Sequence, residues 1–206
     1  MTVEYAQSLR QNAQTASILS FFFFDSAIPD TDIGIFASFL EESVIEGTRY
    51  KDEDTIAFGS MLLRVVLTNG FLIIHEPDTS SFHIEWKKGV TQSLRLLRLQ
   101  KDIAESVGLA DEIDPPSIRS SLIVGTDLTP EDKSFILERM GPVDSDSGWF
   151  VGRPDTLLDY NAPANLSRIS VYQAIFYWPR IAGYLALPAR LLRRYIGDVS
   201  SALTQW

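Results

Sequence analysis

The chain has 206 residues, of which 45% are apolar and 22% charged, an ordinary globular composition for a chain long enough to bury a substantial core. Its 27 acidic and 18 basic residues give a formal net charge of −9, which opposes binding to nucleic-acid phosphates and would attract a basic partner. Since acidity also keeps a protein soluble, the charge alone does not identify a partner. The absence of cysteine excludes disulfides, thiolate nucleophiles and cysteine-ligated zinc, and it fits a reducing compartment.

The first 24 residues contain neither glycine nor proline, and residues 2–24 are predicted to form a helix. This segment ends in an apolar run at 18–24 that is too short to span a bilayer. The charged region before the run, with Glu4 and Arg10, is weak for a signal peptide. We therefore expect a core segment of a cytoplasmic protein.

A second helix is predicted over residues 30–45, capped by Asp30 or Asp32 and ended by Gly47. Acidic residues cluster around it, because residues 25–54 contain nine acidic residues and two basic ones. This acidic run is either a surface that docks a basic protein or a solvated helix face with acidic caps.

Residues 54–70 allow two interpretations. Their acidic start and the spacing of their apolar residues favour a helix, whereas the Asn-Gly pair at 69–70 between two apolar runs indicates a hairpin. We favour the helix. Beyond it, the sequence predicts strands at 71–76 and 82–86 that form a hairpin, and then a helix over 91–107.

The polar segment 111–116 ends in two prolines and is the best candidate for a linker, because it cannot continue a helix. We therefore predict an N-terminal α+β domain over 1–115, containing the hairpin 71–86, and a C-terminal α+β domain over 116–206. The predicted fold class is α+β, with helices and short antiparallel sheets in two small domains or one two-part domain. The elements predicted in the second domain are a strand at 121–125, a helix from Thr129, a strand at 149–151, a loop at 154–165, a helix capped by Ser167, a strand at 184–187 and a C-terminal helix.

The sequence lacks the common patterns of phosphate-binding and nucleophilic enzymes. It contains no G-x-G-x-x-G, G-x-x-x-x-G-K-[ST] or G-x-S-x-G motif. Its two histidines, His75 and His83, would lie opposite each other if the predicted hairpin pairs around its turn, with Glu85 on the same face as His83. Such a set could bind zinc, although a polar pair on the solvated side of a hairpin is the simpler interpretation. We therefore predict no catalytic residue, no metal ligand and no cofactor.

An unusual segment begins at Asp144, where Asp and Ser residues lead through Gly148 into two aromatic residues. A polar loop follows. Charged loops beside an aromatic anchor suit a protein-binding surface, but Trp149 could equally be a core residue that starts a strand. The candidate partner-binding residues are Asp144, Asp146, Ser147, Trp149, Phe150, Asp155, Asp159 and Asn161.

Residues 146–152, Asp-Ser-Gly-Trp-Phe-Val-Gly, are similar to the D-S-G-W motif of immunity proteins from bacterial polymorphic-toxin systems, those of immunity protein family thirty-three. The motif is followed in family order by a D-x-x-x-[DN] loop at 155–159 and an N-P-x-N-like turn at 161–165. A helix containing Ser170-Val171-Tyr172 comes next and leads to Pro179 and a closing strand at 184–188. In the family an extended strand enters the motif, where this sequence predicts a helix. The resemblance covers residues 128–194.

This resemblance implies a bacterial cytoplasmic protein that neutralises a toxin by direct binding, and it supplies no catalytic residues. We therefore predict a non-enzymatic immunity protein that occludes a cognate toxin, a basic one, and that binds neither nucleic acid nor membrane. Two alternatives remain open. One is a non-enzymatic adaptor or chaperone of a secretion system, and the other is a metal-dependent hydrolase that uses His75 and His83.

Overall fold

A computed structural model describes residues 9–11, 18–189 and 194–196, with side chains over 22–189. Three α-helices and two small sheets in these residues make the α+β fold that the sequence predicted. The chain divides into two compact units, residues 1–99 and 100–206. This division falls before the predicted boundary at 115/116, and the independent folding of the two halves stays a prediction.

The first unit is built around a sheet of six described strands in the order β1-β2-β5-β4-β3, with β6 also paired to β5. The pairs are antiparallel except for β2 and β5, which run parallel. Its elements are β1 (Leu9–Gln11), β2 (Ile18–Phe21), α1 (Asp30–Ile45), β3 (Thr55–Phe58), β4 (Met61–Thr68), β5 (Phe71–Pro77), β6 (Trp86–Lys88) and the first part of α2 (Thr91–Ser106).

An aromatic cluster at the centre of the first unit fixes α1 on the sheet. The ring of Phe36, fully buried on α1, meets the rings of Phe22 and Phe58 edge-on, with centroids 5.0 and 4.8 Å apart. Each such pair contributes about 0.5–1.5 kcal/mol beyond the area it buries. The start of α2 is held by the buried carboxylate of Glu76, which accepts hydrogen bonds from the backbone N–H of Gln92 at 3.0 Å and of Ser93 at 2.8 Å.

Two predicted helices and one predicted helix cap of the first unit are wrong. The helix at 2–24 is replaced by β1 and β2 where the chain is described, and residues 2–8 and 12–17 lie outside the described part. The helix at 54–70 is replaced by β3 and β4, because Asn69 and Gly70 both take positive φ values, 52° and 82°, and turn the chain into β5. Helix α1 spans the predicted residues but follows Pro29 without a side-chain cap.

The second unit has a sheet of five described strands in the order β10-β7-β9-β8-β11. The pairs are antiparallel except for β7 and β9, which run parallel. Its strands and helix are β7 (Ser121–Gly125), β8 (Phe135–Arg139), β9 (Asp146–Gly152), β10 (Leu166–Ser170), α3 (Val171–Tyr177) and β11 (Arg194–Ile196). Short 3-10 helices lie at Ala110–Glu112, Pro163–Asn165, Pro179–Ile181 and Tyr184–Ala186.

The predicted strand at 121–125 is confirmed, whereas the helix from Thr129 is wrong. The carboxylate of Asp132 accepts hydrogen bonds from the backbone N–H of Thr129 at 2.6 Å and from its hydroxyl at 3.1 Å, which closes a turn. The chain then continues as β8, whose residues alternate between buried and half-buried. An extended strand, and not the predicted helix, therefore precedes residues 146–152.

Three further elements of the second unit differ from prediction. Ser167 lies in β10, and Ser170 caps α3 instead, in a capping box with Gln173. The predicted strand at 184–187 is a 3-10 helix. Of the predicted C-terminal helix, residues 194–196 form β11, and residues 190–193 and 197–206 lie outside the described part. None of the described helices is long and apolar enough to cross a membrane.

Candidate partner-binding site

The Asp-Ser-Gly segment forms a bulge at the start of β9. Ser121 of β7 pairs with Asp146, but Ile123, two residues on, pairs with Phe150, four residues on. The extra residues are accommodated at Gly148, whose φ is +75°. A Cβ at this position would lie 2.1 Å from the carbonyl oxygen of Met140, so only glycine fits.

The carboxylate of Asp146 joins three strands at this bulge. Its Oδ1 accepts a hydrogen bond from the backbone N–H of Gly148 at 2.8 Å, and its Oδ2 accepts one from the Ser121 hydroxyl at 3.1 Å. The same Oδ2 forms an ion pair with the Arg168 guanidinium of β10. The neighbouring Ser147 is buried and donates to the carbonyl oxygen of Ser121 at 2.8 Å. These two motif residues therefore hold the sheet together where the bulge interrupts its ladder.

Trp149 is a core residue, one of the two roles that the sequence left open. Its side chain is 3% exposed, and its indole N–H donates to the carbonyl oxygen of Leu185 at 2.8 Å. The guanidinium carbon of Arg139 lies 5.5 Å from the indole centroid. Trp149 thus fastens the bulged strand to the 3-10 turn that contains Leu185.

Arg139 organises this region, and the sequence analysis missed it. Its side chain is 2% exposed, and its nitrogens donate to the carbonyl oxygens of Ser147 (3.3 Å), Asp114 (2.8 Å) and Leu187 (2.5 Å) and to the Asp114 carboxylate (2.9 Å). Burial lowers the pKa of Arg139, and Asp114 partly offsets this shift. In a strand, alternate side chains face the same side, so a strand at β8 would have placed Arg139 inward with Phe135. The sequence analysis predicted a helix there and therefore did not use this spacing.

A second hydrogen-bond network holds the base of the loop that follows β9. The Tyr160 hydroxyl donates to Asp127 at 2.8 Å and accepts from the backbone N–H of Arg153 at 2.8 Å. Its ring lies so close to Gly125 and Gly152 that a Cβ at either would approach ring carbons to 2.5 and 2.7 Å. Phe150 meets the same ring edge-on, with centroids 5.1 Å apart. Burial is the main cause that raises the pKa of Tyr160, which therefore stays a neutral donor at physiological pH.

The exposed part of this loop is acidic. Asp155 accepts hydrogen bonds from the Arg153 guanidinium at 3.2 Å, which lower the pKa of Asp155. Asp159 accepts hydrogen bonds at 2.9 Å from the backbone N–H and the side chain of Asn161, which lower the pKa of Asp159. Leu157 lies between the two carboxylates and is fully exposed. Along the chain, the loop therefore presents one ionised carboxylate on each side of an exposed apolar residue.

The eight predicted partner-binding residues do not form one surface. Asp144 is exposed on the turn before β9, whereas the exposed side chains of Asp155, Asp159 and Asn161 lie in the loop after it. The remaining four support the sheet or the loop, two of them half-buried (Asp146 and Phe150) and two buried (Ser147 and Trp149). Asp155, Asp159 and Asn161 are thus the predicted residues that are exposed in one and the same loop.

The proposed zinc site is not supported by the strand pairing. The returning strand of the hairpin is β6, not 82–86, so His75 pairs with Lys88, and His83 packs against Phe82 with ring centroids 5.0 Å apart. Burial and the charge of Lys88 lower the pKa of His75. Within 9–11, 18–189 and 194–196, no three His, Asp or Glu side chains are grouped to hold a metal ion.

The second unit also has a shallow, open depression of about 310 Å³, lined by Val124, Gly125, Thr126, Leu128, Pro130, Ser167, Ile169, Tyr177 and Trp178. Its lining contains no carboxylate and no imidazole.

Comparison with known protein families finds a match that lies almost entirely within the second unit. Residues 99–191 match the family model of the Imm33-like domain. This segment of the chain is therefore similar to the Imm33-like domain. The matched segment begins within one residue of the unit's first residue, Gln100. The family predicted from the sequence is thus confirmed for this part of the chain. No curated protein and no solved structure matches the chain significantly.

Proposed function

We propose that this protein is an immunity protein that binds a cognate bacterial toxin and neutralises it by direct occlusion. The observation that carries this proposal is the match of residues 99–191 to the Imm33-like domain, which covers most of the second compact unit, residues 100–206. This match supports a role among immunity proteins, and the charge and the loop structure of the chain support the nature of its partner.

The charge of the chain supports a basic partner. At a net charge of −9, the protein accelerates encounter with a positively charged surface and opposes association with nucleic acid. Exposed, ionised carboxylates at Asp155 and Asp159 provide rim charges for such an encounter. We place the encounter in the cytoplasm of the producing cell, where the toxin would otherwise act.

Neutralisation by binding needs a preformed surface rather than reacting groups. The bulge at Asp146 and the Tyr160–Asp127 network hold the loops at the two ends of β9 in defined conformations. A loop that is ordered before binding loses less conformational entropy in the complex, which favours high affinity. In this proposal no residue of the chain makes or breaks a bond.

The test is co-expression with the toxin encoded next to this gene. We expect the chain to restore growth of cells that produce the toxin, and the purified proteins to form a stoichiometric complex in which toxin activity falls in proportion to added chain. Binding without loss of toxin activity would instead indicate an adaptor. Cell death despite production of both proteins, with no complex in gel filtration, would contradict the proposal.

A further inference from the structure

The loop after β9 carries an exposed apolar side chain at its centre. We call residues 153–162 the acidic loop. Leu157 in this loop is 102% exposed, as much as in an extended chain, whereas the next most exposed large apolar residues among the unit's described side chains, Met140 and Val143, reach 75% and 67%. Isolated exposed leucines are common on soluble proteins. Leu157 is distinguished by how firmly its neighbours are held.

Both neighbours of Leu157 take part in hydrogen bonds that fix the loop. The Thr156 hydroxyl donates to Asp127 at 2.5 Å and accepts from the backbone N–H of Leu158 at 3.0 Å. The base of the loop is closed by Tyr160, which bonds Asp127 and the backbone N–H of Arg153. The fold thus holds an apolar side chain in water on an ordered backbone, which adds nothing to stability but reduces the ordering needed for binding.

Charge around Leu157 defines the partner's chemistry. Asp155 and Asp159 flank it at two residues on either side, and both are exposed. The one arginine of the loop, Arg153, lies 3.2 Å from Asp155 and 3.6 Å from Asp132, so one positive charge faces two negative ones and the three side chains keep a net negative charge. Along the chain, the loop therefore places one exposed apolar side chain between two exposed carboxylates, the combination of apolar contact and charged rim found in protein interfaces.

We infer that the acidic loop is the toxin-binding element and that Leu157 enters an apolar pocket of the toxin bordered by lysine or arginine side chains. Asp155 and Asp159 then pair with those cations. This inference rests on the proposed function and deepens it by naming the contact. A second copy of this acidic chain is a poor occupant, because its own carboxylates would meet the loop.

The first test measures binding of the full chain to the purified toxin encoded next to its gene, with Leu157→Ala and Leu157→Asp. Loss of one buried leucine contact is expected to weaken the Kd by roughly 10- to 100-fold, about 1.4 to 2.8 kcal/mol, and the Asp variant by more. Ile45→Asp is the matched control, since Ile45 is 83% exposed in the first unit, and it should bind normally. Thermal unfolding of Leu157→Asp should match that of the parent protein.

The second test separates charge from shape. Asp155→Asn with Asp159→Asn removes two charges while keeping amide oxygens that can accept the loop's hydrogen bonds. We expect association with the toxin to slow by about tenfold at low salt and the salt dependence to weaken. Glu105→Gln with Asp111→Asn makes the same charge change at exposed positions elsewhere in the unit and should leave the rate within about twofold.

The outcomes are distinct. Selective loss of binding by the Leu157 variants supports the inference. Binding of Leu157→Asp within about threefold of the parent, while the parent binds the toxin, overturns this inference and leaves the proposed function standing. A parent chain that binds no toxin overturns both, and Leu157-dependent self-association in light scattering assigns the loop to a second copy and overturns the inference.

Discussion

Replacement of Arg139 by methionine tests whether its buried guanidinium holds the second unit together. Methionine keeps the apolar stem and removes four hydrogen bonds, three of them to backbone carbonyl oxygens. Two of those oxygens belong to Ser147 and Leu187, residues that are 2% and 1% exposed. Without the guanidinium, these acceptors have lost a donor in a place that bulk water reaches poorly.

The magnitude follows from opposing effects. Each buried acceptor left without a partner costs about 1–3 kcal/mol, so two such oxygens cost about 2–6 kcal/mol. Removing a buried guanidinium also removes its desolvation penalty, which offsets part of this loss. The ion pair itself adds little, because the Asp114 side chain is 59% exposed and returns to water. We expect Arg139→Met to lower the free energy of unfolding by about 3 kcal/mol, within about 2–5 kcal/mol.

The assay is urea unfolding followed by tryptophan fluorescence. Trp86 belongs to the first unit, and Trp149 and Trp178 to the second, so Trp86→Phe in every protein makes the described tryptophans report on the second unit. Arg139→Lys is informative alongside Met, because an ammonium keeps the charge but not the planar fork of donors, and it should recover only part of the loss.

Arg119→Met serves as the control, because Arg119 is exposed in the same unit and its loss should change stability by less than about 0.5 kcal/mol. A loss below about 1 kcal/mol for Arg139→Met would refute the reasoning, since it would mean that the backbone oxygens find other donors at little cost.

Three further predictions concern the motif, the loop and acid stability. Gly148→Ala should lower the free energy of unfolding by on the order of 3 kcal/mol or more, because the added Cβ would lie 2.1 Å from a carbonyl oxygen. A thermal melt checks this. Gly141→Ala is the control and should be nearly neutral, because no described atom lies within 4 Å of its added Cβ. Tyr160→Phe removes the acceptor of the Arg153 amide, so hydrogen exchange at that amide should accelerate while exchange in the sheet stays unchanged, and equal rates would count against a loop fixed by this hydroxyl. Hydrogen bonds from Ser80 lower the pKa of Asp78 below its ordinary 3.8. The stability that Asp78 contributes is therefore present above pH 3.8 and is lost as the pH falls through the lowered value. In urea unfolding, Asp78→Ala should lower the free energy of unfolding less at pH 2.5 than at pH 7, and an equal loss at both would contradict this.

Short apolar segments were the main source of error in predicting the fold. Residues 61–68 place apolar side chains at spacings that suit both a helix and a strand, and both periods fit so short a segment. The Asn-Gly turn decided for the strand, because only then do Met61, Leu63 and Val65 face one side and meet the core. A helix over residues 129–140 failed for the same reason, with Asp132 closing a turn before β8.

The candidate site was predicted in part. The acidic loop residues Asp155, Asp159 and Asn161 are exposed, as contact residues need to be, and their role in binding stays a prediction. The sequence left the burial of Trp149 open and did not indicate the burial of Ser147, because burial depends on partners far along the chain. The indole N–H of Trp149, for example, bonds an oxygen 36 residues away.

Several features could be predicted from the amino-acid sequence: the acidic charge, the α+β class, helix α1, strand β7 and the resemblance to immunity proteins. They depend on composition and on the order of residues close together in the chain. Which polar residues are buried depends on tertiary contacts and could not be predicted from the sequence. Arg139 lies inside because carbonyl oxygens 8, 25 and 48 residues away converge on it, and no local pattern records such a meeting. Contacts of Asp146 with Ser121 and Arg168 likewise make the D-S-G segment a support of the sheet, whereas Leu157 and the carboxylates of Asp155 and Asp159 are exposed.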